Sequence, residues 1–328
     1  IRLSLVGSEM CIRDSSSSAL WADAAGAAVR SMSAVTTLAQ DGSQQTETLF
    51  RKADGSLESR TLAQVSASRR VETVTRDIDG DGKTDSQTVR TVLNDGRQQA
   101  VFSDYMTDGV TLLDRKTVTT SANGLVVTSD FDLDGNSILD QRIVETKTLL
   151  LDGSVSTTTD YLTSLNGAMG LAARERYTVS GDGLLEVWAW DDQGTGTETQ
   201  SLQKLTLLNA DGTRRTTQTF REGAVVRRSE ETVTSANGLQ TTDRWDTNGD
   251  GVFEQVRTSL RALNTDGSVT TTIQSRDASN VLMSETRESI SADGKTVTRS
   301  ETSGITGVAA RTTTAMRRDL ADLSLIHI

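Results

Sequence analysis

The sequence predicts an all-β chain, built as a tandem array of about 55-residue units that are each a four-stranded antiparallel meander. Three observations predict this class. An acidic loop and two kinds of glycine-containing turn recur at that interval. The stretches between the turns alternate with period two and are rich in threonine and valine, which favour a pleated backbone. Proline, which cannot donate to a β-ladder, is absent from all 328 residues.

Two recurring turns predict tight reversals between strands. A Ser-Ala-Asn-Gly turn occupies residues 121–124 and 235–238, with related copies at 180–183 and 291–294. An Asp-Gly hairpin signal occupies residues 41–42, 95–96, 152–153, 211–212 and 266–267. Asn-Gly and Asp-Gly tolerate the positive φ that such turns require, so they are strong hairpin signals.

The positions at which these turns recur divide the chain into repeats. We expect repeats at 66–116, 117–176, 177–231 and 232–288, a diverged copy at 16–65 and a partial copy at 289–322. The array is expected to be solenoid-like or elongated, and a β-propeller is the alternative. A propeller blade would follow its acidic loop with a mostly apolar inner strand, whereas residues 86–90 and 255–259 are half polar. The alanine-rich segment 19–28 is the only place where the sequence allows a turn of helix.

The two ends of the chain resemble translated sequencing-adapter sequence, in opposite orientations. We therefore expect residues 1–15 and 323–328 to be non-native and the remainder to be a fragment of a longer, metagenomic protein. The only cysteine, Cys11, and the only histidine, His327, lie in these ends. The remaining chain offers no thiol nucleophile, imidazole base or nitrogen–sulfur ligand set, so we expect no enzymatic activity.

Composition excludes several classes of function. The chain has a net charge of −11, 35% hydrophobic and 4% aromatic residues, so thin local cores shared between repeats are expected instead of one large core. The acidic balance argues against nucleic acid and anionic lipid as partners. No apolar run is long enough to insert in a membrane as a helix. Disorder in the absence of a bound ion is the alternative to a folded array.

The acidic loops are the candidate functional sites, because side-chain oxygens at alternate positions of a tight loop suit a hard cation such as Ca²⁺. The expected ligands are Asp77, Asp79, Asp81, the Lys83 carbonyl and Asp85; Asp132, Asp134, Asn136 and Asp140; and Asp246, Asn248, Asp250 and Glu254. Without a cation these carboxylates would repel one another. Ordinary Asx-turns between strands are the alternative.

A fourth loop has lost most of this charge. Asp191, Gln193, Thr195 and Thr199 occupy its matching positions, so we expect it to be metal-free or very weak. Trp188 and Trp190 precede this loop and Trp245 precedes the third. We expect these tryptophans to form local core beneath the loops, with a carbohydrate-stacking platform as the alternative.

The loops are not EF-hands, because position 12 holds Thr88, Ile143 and Arg257 instead of a bidentate glutamate. They resemble the short Asp-x-Asp-x-Asp-Gly-x-x-Asp loops of propeller repeats and thrombospondin type 3 repeats. With its Ser-Ala-Asn-Gly-Leu strands and Asp-Gly hairpins, the chain resembles tandem β-repeat regions of large secreted bacterial haemolysin-type calcium-binding and adhesin-like proteins. It lacks their Gly-Gly-x-Gly-x-Asp nonapeptide.

The resemblance implies an extracellular or cell-surface location and a non-catalytic, Ca²⁺-stabilised stalk or spacer. Its expected partners are the flanking repeats of the same parent chain, with an unidentified surface ligand as a further one, and the chain is expected to be a monomer. The alternative is a propeller-like or shell-like module that binds a ligand or cargo. Fold alone does not decide between them.

Overall fold

The fold is all-β, as the sequence predicts. A computed structural model describes residues 15–23, 26–165, 167–304 and 311–316, and these residues form 22 strands and no helix. None of them therefore forms a membrane-spanning helix. The helical turn allowed within residues 19–28 does not form in the described part of that segment, whose residues contribute to two paired strands, β1 and β2. Alanine content favoured a helix there, but pairing with a neighbouring strand overrides local propensity.

The described strands belong to two compact units. The first unit comprises the described residues up to Thr148 together with Thr157–Arg174 and Asp192–Gly196, and the second comprises Leu149–Ser156, Glu175–Asp191 and the described residues from Thr197 onward. The first contains β1 Ser15–Ala22, β2 Ala28–Leu38, β3 Gln44–Lys52, β4 Leu57–Val65, β5 Val71–Asp77, β6 Ser86–Val92, β7 Gln98–Tyr105, β8 Leu112–Thr120 and β9 Val126–Asp132. Strands β10 Gln141–Leu149, β11 Val155–Leu165 and β12 Ala168–Val179 contribute residues to both units. The second contains β13 Leu185–Asp191, β14 Gln200–Leu208, β15 Arg214–Glu222, β16 Val225–Thr234, β17 Gln240–Asp246, β18 Gln255–Leu263, β19 Val269–Asp277, β20 Leu282–Ile290, β21 Thr296–Ser303 and β22 Arg311–Met316.

Within each unit the strands pair in chain order. Each of the strands β1 to β9 pairs antiparallel with the strand that follows it, and so does each of the strands β13 to β21. Neither run shows the break between four-stranded blades that a propeller would require. Each sequence repeat supplies four strands, as in β5–β8 and β17–β20. The expected repeat limits at 116, 176, 231 and 288 fall inside strands. The residue at which a repeat is taken to begin is therefore arbitrary.

Side chains stabilise the recurring turns in the way that the sequence suggests. In the Ser-Ala-Asn-Gly turn, the Ser121 hydroxyl donates to Asn123 Oδ1 at 2.7 Å and accepts the Val126 N–H at 2.9 Å, while Gly124 has a φ of 71°. In a hairpin turn, Asp152 Oδ1 accepts both the hydroxyl and the N–H of Ser154. These hydrogen bonds lower the pKa of Asp152. The turns therefore use the local side-chain-to-backbone bonds typical of Asx and Ser motifs.

The apolar core is very thin. Among the described residues only Val74 and Ala189 are buried apolar side chains. Trp188, Trp190 and Trp245, which were expected to form local core, are half-buried on the sheet, and Trp188 stacks on Tyr177 with ring centroids 4.9 Å apart. Most stabilisation must come from ladders and cross-strand pairs, since few side chains leave water completely.

Buried carboxylates mark one position in each of the four full repeats. The strands that precede the acidic loops, β5, β9, β13 and β17, end at Asp77, Asp132, Asp191 and Asp246, and all four of these residues are buried. A buried carboxylate is stable only when it is hydrogen-bonded, paired or bound to a cation. The fold thus places the first residue of each acidic loop where its charge needs a partner.

Candidate metal sites in the acidic loops

The first loop is organised around Asp77, the last residue of β5. Its Oδ1 accepts the Gly80 N–H at 2.6 Å and its Oδ2 accepts the Gly82 N–H at 2.9 Å. At the other end of the loop, Asp85 Oδ2 accepts the Ile78 N–H at 2.5 Å. Backbone donors therefore hold both carboxylates in place before any ion arrives, which reduces the entropic cost of binding.

The third loop repeats this arrangement. Asp246, which is 2% exposed, accepts the N–H groups of Gly249 at 2.6 Å and Gly251 at 3.0 Å. Glu254 Oε2 accepts the Thr247 N–H at 2.6 Å and the Thr247 hydroxyl at 2.9 Å. A longer glutamate side chain at position 9 thus makes the same closing contact that aspartate makes in the first loop.

The second loop differs at its buried aspartate. Asp132 Oδ2 accepts the Ser137 N–H at 3.0 Å, but Asp132 Oδ1 is buried and has no hydrogen-bond partner. Ser137 replaces the glycine found at position 6 of the other two loops and has a φ of 69°. Asp140 Oδ2 closes the loop through the Leu133 N–H at 2.7 Å. The unpaired buried oxygen is costly unless something else binds it, and a cation would do so.

Each of the three loops brings three carboxylates together. Within a loop, one oxygen from each carboxylate lies within 4.8 Å of the other two; the groups are Asp77, Asp79 and Asp85; Asp132, Asp134 and Asp140; and Asp246, Asp250 and Glu254. Two ligands on opposite sides of a Ca²⁺ ion, at 2.3–2.6 Å each, would be about 5 Å apart. The oxygen spacing therefore leaves room for a metal ion, and the all-oxygen donor set suits a hard cation.

Three expected side-chain ligands, and the Lys83 carbonyl, lie outside these groups. Asp81 Oδ1 accepts the Lys83 N–H at 2.8 Å, its Oδ2 is 3.2 Å from Lys83 Nζ, and these contacts lower its pKa. Asn136 Oδ1 accepts the Ile138 N–H at 2.6 Å. Asn248 Oδ1 accepts the Asp250 N–H at 2.9 Å. These side chains stabilise the loop turns, and their role as ligands, like that of the Lys83 carbonyl, stays a prediction.

An acidic pair near the second loop could not be predicted from the sequence. Asp104 on β7 lies directly opposite Asp114 on β8. Burial raises the pKa of Asp114, and the charges of Asp104 and Asp132 raise it further. The two residues are ten positions apart, and only the register of the β7–β8 pair brings them together. Like charges directly opposite each other are unfavourable in a sheet.

The fourth loop keeps the hairpin closure but has lost the acids. The Thr199 N–H donates to the Trp190 carbonyl at 2.7 Å, as the Asp85 N–H donates to the Arg76 carbonyl at 2.8 Å in the first loop. Asp191 is fully buried. Its loop supplies no other carboxylate at the ligand positions, and none of the three acidic groups includes Asp191. The expectation of weak or absent metal binding here stays a prediction.

Comparison with known proteins does not identify a family. No protein-family model matches the chain, and no curated protein matches it. Among solved structures, it is similar to TcdB2-TccC3, at 13% identity and a TM-score of 0.19 over 83% of this chain and 18% of that one. It is also similar to a transferrin-binding protein B double mutant from Haemophilus parasuis Hp5, at 9% identity and a TM-score of 0.19 over 74% of this chain and 62% of that one.

A second transferrin-binding protein B mutant from the same organism matches at 8% identity and a TM-score of 0.17, over 87% of this chain and 82% of that one. The chain spans less than two thirds of the first two of these structures. At such low identities and TM-scores, the likenesses carry no argument about function. The function must be argued from the acidic loops themselves.

Proposed function

We propose that the chain is a non-catalytic, Ca²⁺-stabilised repeat region that acts as a stalk or spacer in a large exported bacterial surface or secreted protein. The observation that carries this proposal is the threefold recurrence of a three-carboxylate group, anchored each time on a buried aspartate at a strand end. A repeated site at a repeated structural position is expected of a device that stabilises the array. A catalytic centre would instead be expected once.

The mechanism is linkage between ion binding and folding. Three carboxylates within 4.8 Å repel one another without a cation, and the unfolded chain does not hold them together. Ca²⁺ therefore binds the folded loop in preference to the unfolded chain. Each site that binds only the folded state adds about 2.7 kcal/mol to the free energy of unfolding when free Ca²⁺ is 100 times its Kd.

Calcium would matter more here than in an ordinary globular domain. Val74 and Ala189 are the only fully buried apolar side chains among the described residues, so hydrophobic stabilisation comes from side chains that stay partly in water. Native proteins are stable by only about 5–15 kcal/mol, so three sites of this strength would be a large part of the total. An exported protein meets far more free Ca²⁺ than one in the cytoplasm, which favours an extracellular location.

The remaining parts of the proposal follow from composition and sheet organisation. Residues 16–322 contain neither cysteine nor histidine, which supports a non-catalytic role. A meander in which each strand pairs with its neighbours in sequence can be lengthened by adding repeats, so the flanking repeats of the same chain are its expected partners. A monomer in solution suits this arrangement. The second candidate function is ligand binding on a face of the sheet. An open slot over strands β14 to β17 of the second unit favours it.

Calorimetric unfolding of the chain, with excess Ca²⁺ and with a chelator, tests the proposal. The test variant carries Asp79→Asn, Asp134→Asn and Asp250→Asn, which remove one carboxylate from each group but keep an oxygen that can accept the loop hydrogen bonds. The control variant carries Asp95→Asn, Asp152→Asn and Asp266→Asn, which make the same charge change in hairpin turns.

We expect Ca²⁺ to raise the unfolding temperature of the parent and of the hairpin control by similar amounts, and to have a much smaller effect on the loop variant. Equal Ca²⁺ effects on all three proteins would show that the ion binds elsewhere. No Ca²⁺ effect on the parent would show that the loops are ordinary turns.

A further inference from the structure

An open slot lies on one face of the second unit, and its lining includes Asp246 of the third acidic group. It has a volume of about 490 Å³ and extends over strands β14 to β17 as far as the start of the third loop. Its principal lining residues are Leu202, Gln218, Phe220, Arg228, Glu230 and Trp245. Small-molecule sites typically measure roughly 300–1,000 Å³, so this slot is large enough for a small ligand.

The register of the sheet explains why these side chains meet. Gln218 lies opposite Glu230, and Glu230 lies opposite Trp245. In the adjacent row, Phe220 on β15 lies opposite Arg228 on β16. Residues directly opposite, and residues two apart along a strand, share a face of the sheet. The slot is therefore a continuous patch with an aromatic side chain in each row.

Three polar side chains of the slot are unpaired, unlike Ser229, Asp246 and Thr247, which also line it. In the part of the chain that the structure describes, Gln218 and Glu230 make no side-chain hydrogen bond or ion pair, and Arg228 contacts only the Phe220 ring, with Cζ 5.3 Å from its centroid. On adjacent strands, by contrast, Arg244 pairs with the buried Glu231 and Arg257 pairs with Asp243. The hydrogen-bonding groups of Gln218, Arg228 and Glu230 lack polar partners, whereas those of their neighbours have them. These groups are therefore available to a ligand.

At the corresponding position in the first unit, a lysine side chain covers the aromatic ring. There Lys116 lies opposite Phe131, and Lys116 Nζ is 5.2 Å from the centroid of the Phe131 ring. In the second unit Glu230 replaces the lysine and Trp245 replaces the phenylalanine. A carboxylate is not attracted to an aromatic face as an ammonium group is. Arg257 covers Trp245 from β18, on the other side of β17 from the slot, at 5.3 Å.

We propose that this slot binds a sugar unit of a neutral polysaccharide or glycan. An indole ring stacks on the C–H face of a pyranose, because the ring is large, rigid and polar only at its edge. The amide of Gln218, the carboxylate of Glu230 and the guanidinium of Arg228 supply both acceptors and donors for hydroxyl groups. Arg228 and Glu230 cancel in charge, which favours a neutral ligand. This inference does not depend on the calcium proposal.

Saturation-transfer NMR and tryptophan fluorescence on the chain, with maltose, cellobiose, lactose and di-N-acetylchitobiose as probes, test the inference. Two variants address the slot. Trp245→Ala removes the stacking surface, and Glu230→Lys copies the first unit, where a lysine covers the ring. Trp21→Ala is the matched control, because it removes a tryptophan from β1 in the other unit. Circular dichroism of all variants checks that the sheet is intact.

We expect at least one of the sugars to bind the parent and the Trp21→Ala control equally. Trp245→Ala and Glu230→Lys should weaken that binding at least about tenfold, equivalent to about 1.4 kcal/mol. Absence of binding to all four sugars would overturn the inference, and so would binding that survives both slot variants. We expect sugar binding to persist when the titration is repeated with a chelator, and this keeps the result separate from the calcium proposal although Asp246 also lines the slot.

Discussion

Gly80 of the first acidic loop lies against the carbonyl oxygen of Leu57, the first residue of β4. A Cβ atom on residue 80 would be 2.3 Å from that oxygen, well inside van der Waals contact. The equivalent glycines in the second and third loops, Gly135 and Gly249, would make the same overlap at 2.2 Å. Each acidic loop is thus docked on the start of an earlier strand, and only glycine allows the backbones to approach this closely.

The first prediction separates this docking contact from backbone strain. Gly80 and Gly82 both have positive φ, 80° and 86°, but a Cβ on residue 82 would meet nothing within 4 Å. Gly82→Ala should therefore cost about 1 kcal/mol, the cost of a left-handed conformation for a residue with a Cβ. Gly80→Ala should cost at least about 2 kcal/mol more, since overpacking adds to the strain. Urea unfolding in chelator measures both, and equal losses would contradict the docking contact.

The second prediction concerns the buried aspartates in the absence of metal. Asp77 accepts two backbone N–H groups, whereas Asp132 accepts one and leaves a buried oxygen unpaired. In chelator, Asp77→Ala should lower the free energy of unfolding by about 2–4 kcal/mol, because hydrogen bonds to a charged group are lost. Asp132→Ala should cost much less, because it also removes an unsatisfied buried atom. Similar losses in the two variants, measured by urea unfolding, would disprove this asymmetry.

The third prediction is a pH dependence at the turn between β7 and β8. Hydrogen bonds from the Thr111 hydroxyl and from the N–H groups of Val110 and Thr111 lower the pKa of Asp108 from 3.8 to about 2. Because the folded pKa is lowered, the stabilisation is complete above pH 3.8 and is lost as the pH falls to about 2. The stability difference between the parent and Asp108→Asn should be constant near neutral pH and disappear over this range. Urea midpoints measured at several pH values check this, and a constant difference down to pH 2 would contradict it.

The fourth prediction concerns a buried ion triad in the second unit. Glu231 is 3% exposed, is 2.5 Å from Arg244 on β17 and also pairs with Arg215 on β15. Glu231→Gln should lower the free energy of unfolding by about 2–4 kcal/mol, since it leaves two arginines without their shared partner. The control is Glu222→Gln, whose exposed pair with Arg227 should contribute less than about 1 kcal/mol. Equal effects of the two substitutions on thermal unfolding would show that burial of Glu231 does not matter.

Much of this architecture follows from local chemistry and could be predicted. The Asp-Gly and Asn-Gly turns, such as those at Gly96 and Gly124, have the positive φ that those residues favour. The acidic loops place three of their alternate carboxylates together because successive Asx-turns curl the backbone around them. These features depend on residues a few positions apart, and the sequence displays such residues directly.

Features that depend on strand register could not be predicted. The contact between Gly80 and Leu57, the pair of Asp104 and Asp114 and the slot beside Trp245 all join residues from different strands. A single sequence does not show which residues face each other across a ladder, and a shift of one residue reverses every face. For the same reason the tryptophans were expected in a local core, although the sheet leaves them half-buried.

Isothermal titration of the chain with Ca²⁺, after exhaustive chelation, tests the central claim most directly. Three loops carry a three-carboxylate group and the fourth does not, so we predict three bound ions per chain. The variant carrying Asp79→Asn, Asp134→Asn and Asp250→Asn should lose this binding, while the hairpin control should retain it. Binding of no Ca²⁺ by the parent, or a stoichiometry that the loop substitutions leave unchanged, would contradict the account.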